Sequence, residues 1–180
     1  MPFSDELTGA VRVLDYDGTW PEEFRSLATR LAGALGPLAP RIDHIGSTSV
    51  PGMAAKDCVD VQVCVDDLGD PAIGDALTGI GFRVRPEPWN RVETSGGRSW
   101  PKLVFAPPPG ERAVNVHVRT VGSATARRNL LFRDYLSADP AARDAWSRFK
   151  RRLAETATEL ADYGQIKQPV TEVLMLAAEE

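Results

Sequence analysis

From Cys58 to Val65 the chain alternates strictly. Val59, Val61, Val63 and Val65 fall on one face, and Cys58, Asp60, Gln62 and Cys64 on the other. β-branched residues at every second position, with no glycine or proline, predict a strand whose valine face is buried. Residues 113–119 repeat the pattern, with Val114, Val116 and Val118 opposed to Asn115, His117 and Arg119. If both valine faces enter one core, then Asp60, Gln62, Asn115, His117 and Arg119 share a sheet face and frame a polar cleft.

Other elements follow from periodicity and stop signals. Val11 to Leu14 reads as a short strand. Trp20-Pro21 opens a helix with Glu22 and Glu23 at its positive end, and Phe24, Leu27, Ala28, Leu31 and Leu35 form its apolar stripe. Gly36-Pro37 ends it. Arg41 to Ile45 reads as a strand feeding a Gly46-Ser47 turn, and Met53 to Lys56 as one helical turn. Asp70-Pro71 starts a second helix carrying Ile73, Leu77 and Ile80, and Phe82 to Arg85 is a strand. Pro86 to Pro101 reads as a long irregular loop. Lys102 to Ala106 and Ala113 to Arg119 read as paired strands joined through Pro107–Gly110. Ser123 to Ser137 is helical, Asp139-Pro140 caps a further helix to about Leu160, and Ile166 onward forms a last helix interrupted at Pro169. This order predicts an α+β protein: one mixed β-sheet flanked by helices. It is read as a single domain over residues 1–180, with a core at about 11–120 and a helical C-terminal part at about 121–180.

Gly46-Ser47 ahead of Asp60 has the spacing of a minimal nucleotidyltransferase signature. In that signature a Gly-Ser turn approaches the phosphates and strand acids hold Mg²⁺. Asp60 fills the first acid position and is the candidate Mg²⁺ ligand. Gln62 stands where a second acid belongs, and Asn115 or His117 stands near a third. Gln offers one neutral oxygen and His prefers softer metals, so the acidic set is incomplete. His44 and His117 are candidates for general acid–base work, since an imidazole titrates near neutrality. Ser47 and Thr48 offer hydroxyls to an anion, and Lys56 a flexible point charge.

Several motifs point together to one family. HIGSTSVPG with the following AAK and VD, the opening VRVLDYDGTWPEEF, the strand VNVHV, the helix LLFRDYL and the pair Tyr163 and Lys167 all resemble the GrpB family (UPF0157). The resemblance spans about Val11 to Lys167. It implies a nucleotidyltransferase-like fold and a cleft for a nucleotide or other phosphorylated small molecule, with nucleotidyl transfer as the activity the incomplete acids put in question. Arg133 of FRDYL and Lys167 of the tail are then the cations expected at the ligand. The resemblance also implies an alternative, because similar domains occur fused to dephospho-CoA kinase. In that case the chain is a non-catalytic folding or accessory module with the kinase as partner. The chain has no G-x-x-x-x-G-K-[ST] loop of its own.

Bulk properties narrow the partners. The 180 residues carry a net charge of −4, which argues against a nucleic-acid binder relying on overall charge. Arg143, Arg148, Lys150, Arg151 and Arg152 interleave with Asp144, Glu155 and Glu159, as on a solvated helix face. Trp89 and Trp100 read as anchors of the long loop. No run of 18 apolar residues predicts a membrane span, and the first residues lack the pattern of a secretory leader. Two cysteines on one strand lie roughly 20 Å apart at the strand rise, too far to bridge. They read as reduced thiols of a cytoplasmic protein.

Overall fold

In the computed structural model, residue 3, residues 11–157 and residues 160–179 are described. Helix α1 (Trp20–Leu35) leads into strand β1 (Arg41–Ile45), a short 3-10 turn (Ser47–Ser49) and strand β2 (Val59–Val65). Helix α2 (Pro71–Gly79) and strand β3 (Arg83–Val84) follow. Next come strands β4 (Val92–Ser95), β5 (Arg98–Pro101), β6 (Leu103–Ala106) and β7 (Val114–Thr120). Helices α3 (Ala124–Ala138), α4 (Pro140–Thr156) and α5 (Leu160–Ala178) close the chain.

Five strands form one mixed sheet in the order β1-β2-β7-β6-β3. β2 and β7 run parallel at its centre and the other pairs are antiparallel. The two valine ribs do share a core. Val59, Val61, Val63, Val65, Val114, Val116 and Val118 pack with Trp20, Leu31 and Leu35 of α1, Ile73 and Leu77 of α2, and Phe82 and Phe105. Each fully buried valine contributes roughly 1.5–3 kcal/mol of transfer free energy. That burial decides which face of β2 and β7 turns the other way. A second cluster of Val50, Met53, Leu136 and Trp146 joins the Ser47–Met53 segment to α3 and α4. The expected α+β layout of one mixed sheet flanked by helices is therefore present, with the Gly-Ser turn ahead of an acid-bearing strand.

Capping sets the later helix starts. Asp70 accepts from Ala72 N at 2.9 Å and Ser123 from Ala126 N at 3.2 Å, while Asp139 accepts from Ala141 N and Ala142 N at 2.9 and 3.0 Å.

Four local expectations need correction. Residues 11–14 make one isolated bridge, Leu14 to Ala55, rather than a strand. Met53 to Lys56 is not helical, because Ala55 is committed to that bridge. Residues 86–101 are not irregular: β4 and β5 form an antiparallel hairpin turning at Gly96 and Gly97, both at positive φ. Finally, α4 stops at Thr156, and α5 runs through Pro169 without interruption. No described helix is long and apolar enough to cross a membrane.

Candidate functional site

The polar face of β2 and β7, with α3 and α5, encloses a cleft of about 400 Å³. The parallel register sets Asp60 opposite Asn115 and Gln62 opposite His117. β1 adds Ile45 opposite Asp60. The turn that follows brings Gly46 against the Asp60 carboxylate. A Cβ at Gly46 would lie 2.6 Å from Asp60 Oδ2, and its φ of +71° is itself a glycine conformation. Ser49 Oγ donates to the Gly46 carbonyl at 2.6 Å and locks the turn.

Asp60 Oδ1 accepts from Asn115 Nδ2 at 3.0 Å and lies 3.5 Å from His117 Nε2. Burial pushes the Asp60 carboxyl up. The hydrogen bonds from His117 and Asn115 and the nearby Lys167 ammonium outweigh burial and hold the group below the ordinary carboxylate range. Burial lowers His117, helped by Arg119 and Lys102 and opposed by Asp60, so its imidazole is neutral at neutral pH. Lys167 is also lowered, by burial first and by Lys56 second. Cys58, whose Sγ lies 3.4 Å from Asn115 Nδ2, is pushed up to about 12 by burial and by Asp60, which leaves it an inert thiol.

Of the residues expected at the site, Gly46, Ser47, Asp60, His117 and Lys167 line the cleft together. The others do not. His44 pairs with Val61 and so faces the apolar core. There it stacks on Phe24 with ring centroids 4.6 Å apart, bonds Thr48 Oγ1 at 3.0 Å, and is pushed down to about 4 by burial. Neither His44 nor the buried Thr48 reaches the cleft. Arg133 donates to Asp134 at 2.7 Å and to the His44 carbonyl at 3.3 Å, fixing α3 on β1 rather than facing a ligand. Lys56 sits over the Tyr163 ring, 5.7 Å from its centroid. Asn115 acts one step back, its Oδ1 accepting from Arg85 at 3.2 Å. Gln62 is fully buried. Its amide donates to the Ala126 carbonyl and its oxygen accepts from Arg119, both at 3.3 Å.

The remaining wall comes from Arg119, which the alternation of β7 places on this face, and from residues not expected there. Glu93 and Thr94 of β4 enter with Lys102, and Arg119 closes the far end of β7. Thr125, Arg128, Asn129 and Phe132 of α3 line it at the three-and-four spacing of one helix face, a periodicity present in the sequence. Lys167, Thr171 and Met175 do the same on α5.

These donors do not fit a resident Mg²⁺. Asp60 offers one carboxylate already engaged by two donors, Gln62 is spent inside the fold, and Glu93 is tied to Arg119. Among the described residues no group of three or more His, Cys, Asp or Glu could hold a metal ion.

The mixed sheet and the Gly-Ser turn packed on the Asp60 carboxylate define an α+β protein with a polar cleft on one sheet face. Residues 10–176 match the family described as GrpB protein, and the chain belongs to the GrpB family. A UPF0157 protein of Streptomyces coelicolor is 37% identical over 159 residues, covering 87% of this chain and 77% of that one. The crystal structure of GrpB from Enterococcus faecalis superposes with a TM-score of 0.75 at 26% identity, covering 93% of this chain and 96% of that chain. A dephospho-CoA kinase of Mycobacterium tuberculosis is 33% identical over 176 residues. That match takes in 88% of this chain but 43% of the kinase, so the chain spans less than half of that relative's length.

Proposed function

We propose that the cleft binds a nucleotide or another phosphorylated small molecule, in a cytoplasmic setting where Cys58 and Cys64 stay reduced. Lys167 carries this reading. Its half-buried ammonium lines the cleft beside Gly46, Ser47 and Asp60, and among the described residues it has no hydrogen-bond or ion-pair partner. The Tyr163 ring lies 5.9 Å away, and Lys56, Asp60 and Cys58 are near enough to act on its charge. A desolvated ammonium in an open cleft is stabilised by an anion arriving from solution. The reading stops at binding, because two-metal transfer needs acids that the strand pair does not supply. His117, held by Asp60, is the group placed to handle a proton if the bound ligand reacts.

The test is a thermal-shift panel of nucleoside triphosphates and dephospho-CoA in EDTA and in Mg²⁺. A ligand at a hundred times its Kd adds about 2.7 kcal/mol of stability. Stabilisation is expected in EDTA as well as in Mg²⁺, and Lys167→Met is expected to abolish it. No shift with any member of the panel overturns the reading.

A second reading has its own support. The match to dephospho-CoA kinases comes with an exposed apolar stripe on α5, formed by Ile166, Val170, Val173 and Leu176. In this reading the chain is an accessory module whose stripe packs on a dephospho-CoA kinase domain. A pulldown that recovers the kinase with the native chain, but not with a Val173→Asp, Leu176→Lys double variant, supports it.

A further inference from the structure

We propose that Arg119, Lys102 and Thr125 form a phosphate subsite within this cleft, and that Glu93 occupies it as a built-in anion until a phosphorylated ligand takes its place. The proposal rests on the reading of the cleft as an anion-binding site and names where the anion sits.

The donors converge on one carboxylate. Arg119 Nε donates to Glu93 Oε1 at 2.6 Å and Nη2 to Oε2 at 2.9 Å, so the guanidinium presents its two-pronged edge. Lys102 Nζ lies 3.5 Å from Oε2, and the Thr125 hydroxyl, in the first turn of α3, faces the same group. A fork, an ammonium and a hydroxyl around one small anion are also what a phosphate requires.

Arg119 does not depend on Glu93 for its position. It is 3% exposed, on a central strand, and its third nitrogen donates to Gln62 Oε1, whose amide is tied in turn to the Ala126 carbonyl. Gln62, standing where a second acid belongs in a two-metal site, serves here to hold a guanidinium.

Glu93, by contrast, arrives on a detachable element. β4 pairs only with β5, in a two-stranded sheet separate from the main one. Withdrawing Glu93 therefore breaks no strand pairing to the five-stranded sheet. Asp60 lines the same cleft and Glu172 pairs with Arg128 at 2.6 Å, so Arg119 and Lys102 are the cations that a ligand gains by displacing Glu93.

A site open for a tenth of the time binds about tenfold more weakly than the open site itself. Calorimetry with inorganic tripolyphosphate in EDTA is expected to show Glu93→Gln binding about tenfold tighter than the native chain or better. The added substitution Arg119→Met is expected to remove that gain. Equal or weaker binding by Glu93→Gln, with the native chain still binding, overturns the subsite and leaves the cleft reading standing; no binding by either chain overturns both. Hydrogen exchange on the native chain decides independently of whether the variants fold. Tripolyphosphate is expected to speed amide exchange across residues 92–101, and unchanged or slower exchange there overturns the displacement.

Discussion

Gly46 and Asp60 are packed so closely that no side chain fits between them: a methyl group at Gly46 would stand 2.6 Å from Asp60 Oδ2. The turn and the acid are thus one unit, and the positive φ of the turn is what lets its backbone approach the carboxylate.

Gly46→Ala carries both penalties. The Gly46 backbone, at φ +71° and ψ −169°, lies in a region nearly confined to glycine that costs another residue roughly 1–3 kcal/mol, and the Asp60 carboxylate must also move aside. At roughly 2–4 °C per kcal/mol for a chain of this size, a melting temperature lower by several degrees is expected. Scanning calorimetry checks it, and an unchanged melting point would show that the turn relaxes freely.

Asp60 makes stability depend on acid pH. Its folded-state affinity for a proton lies below the ordinary value of 3.8. Its contribution is therefore complete above that pH and is lost as pH falls through the lower folded value. Urea unfolding between pH 5 and pH 2 is expected to show a steeper acid loss in the native chain than in Asp60→Asn. Parallel acid limbs would mean that Asp60 is not held as a carboxylate by His117 and Asn115.

Lys150 acts in the opposite pH range. It is 1% exposed and donates to the Ala54 carbonyl. The neighbouring Ser147 Oγ accepts from Ala54 N at 3.2 Å, so α4 grips both backbone groups of one residue. Burial, with Lys167 and Arg151 nearby, pushes the Lys150 amine from 10.5 down to about 6. Between those values the unfolded chain holds a proton that the folded chain lacks, so stability rises with pH across the window and its full cost applies below about 6. Lys150→Met is expected to flatten that rise, while leaving the Ala54 carbonyl without a donor at a cost of about 1–3 kcal/mol. Denaturation curves from pH 6 to pH 10 measure both effects.

The β2 and β7 ribs were legible because their alternation has a period of two and only one face can enter a core. Once Val61 and Val116 are buried, Asp60 and His117 have no other side to occupy. β1 carries no such signal. In Arg41-Ile42-Asp43-His44-Ile45 each face holds one aliphatic residue beside polar ones, so the strand alone does not choose where His44 points. The antiparallel register with β2 chooses, and it sends His44 to Phe24.

Lys150 and Glu93 were missed for different reasons. Trp146, Lys150 and Leu153 lie at the spacing of one buried helix face, but the surrounding arginines mask the stripe. Gly96-Gly97 is a two-residue hairpin signal in its own right. What the hairpin carries, and that its Glu93 meets an arginine 26 residues away, depends on contacts that no local pattern encodes.

Sequence by itself determined the α+β class, the two valine ribs and the common face of Asp60 and His117, because each follows from short-range periodicity and chain stereochemistry. Only the tertiary structure decided which cations stand free in the cleft and which are already paired. Pairing between groups far apart in the chain is set by how whole elements pack. That packing spends Arg133 on the His44 carbonyl, gives Arg119 to Glu93, and leaves the Lys167 ammonium near Asp60 but, among the described residues, with no carboxylate at ion-pair distance.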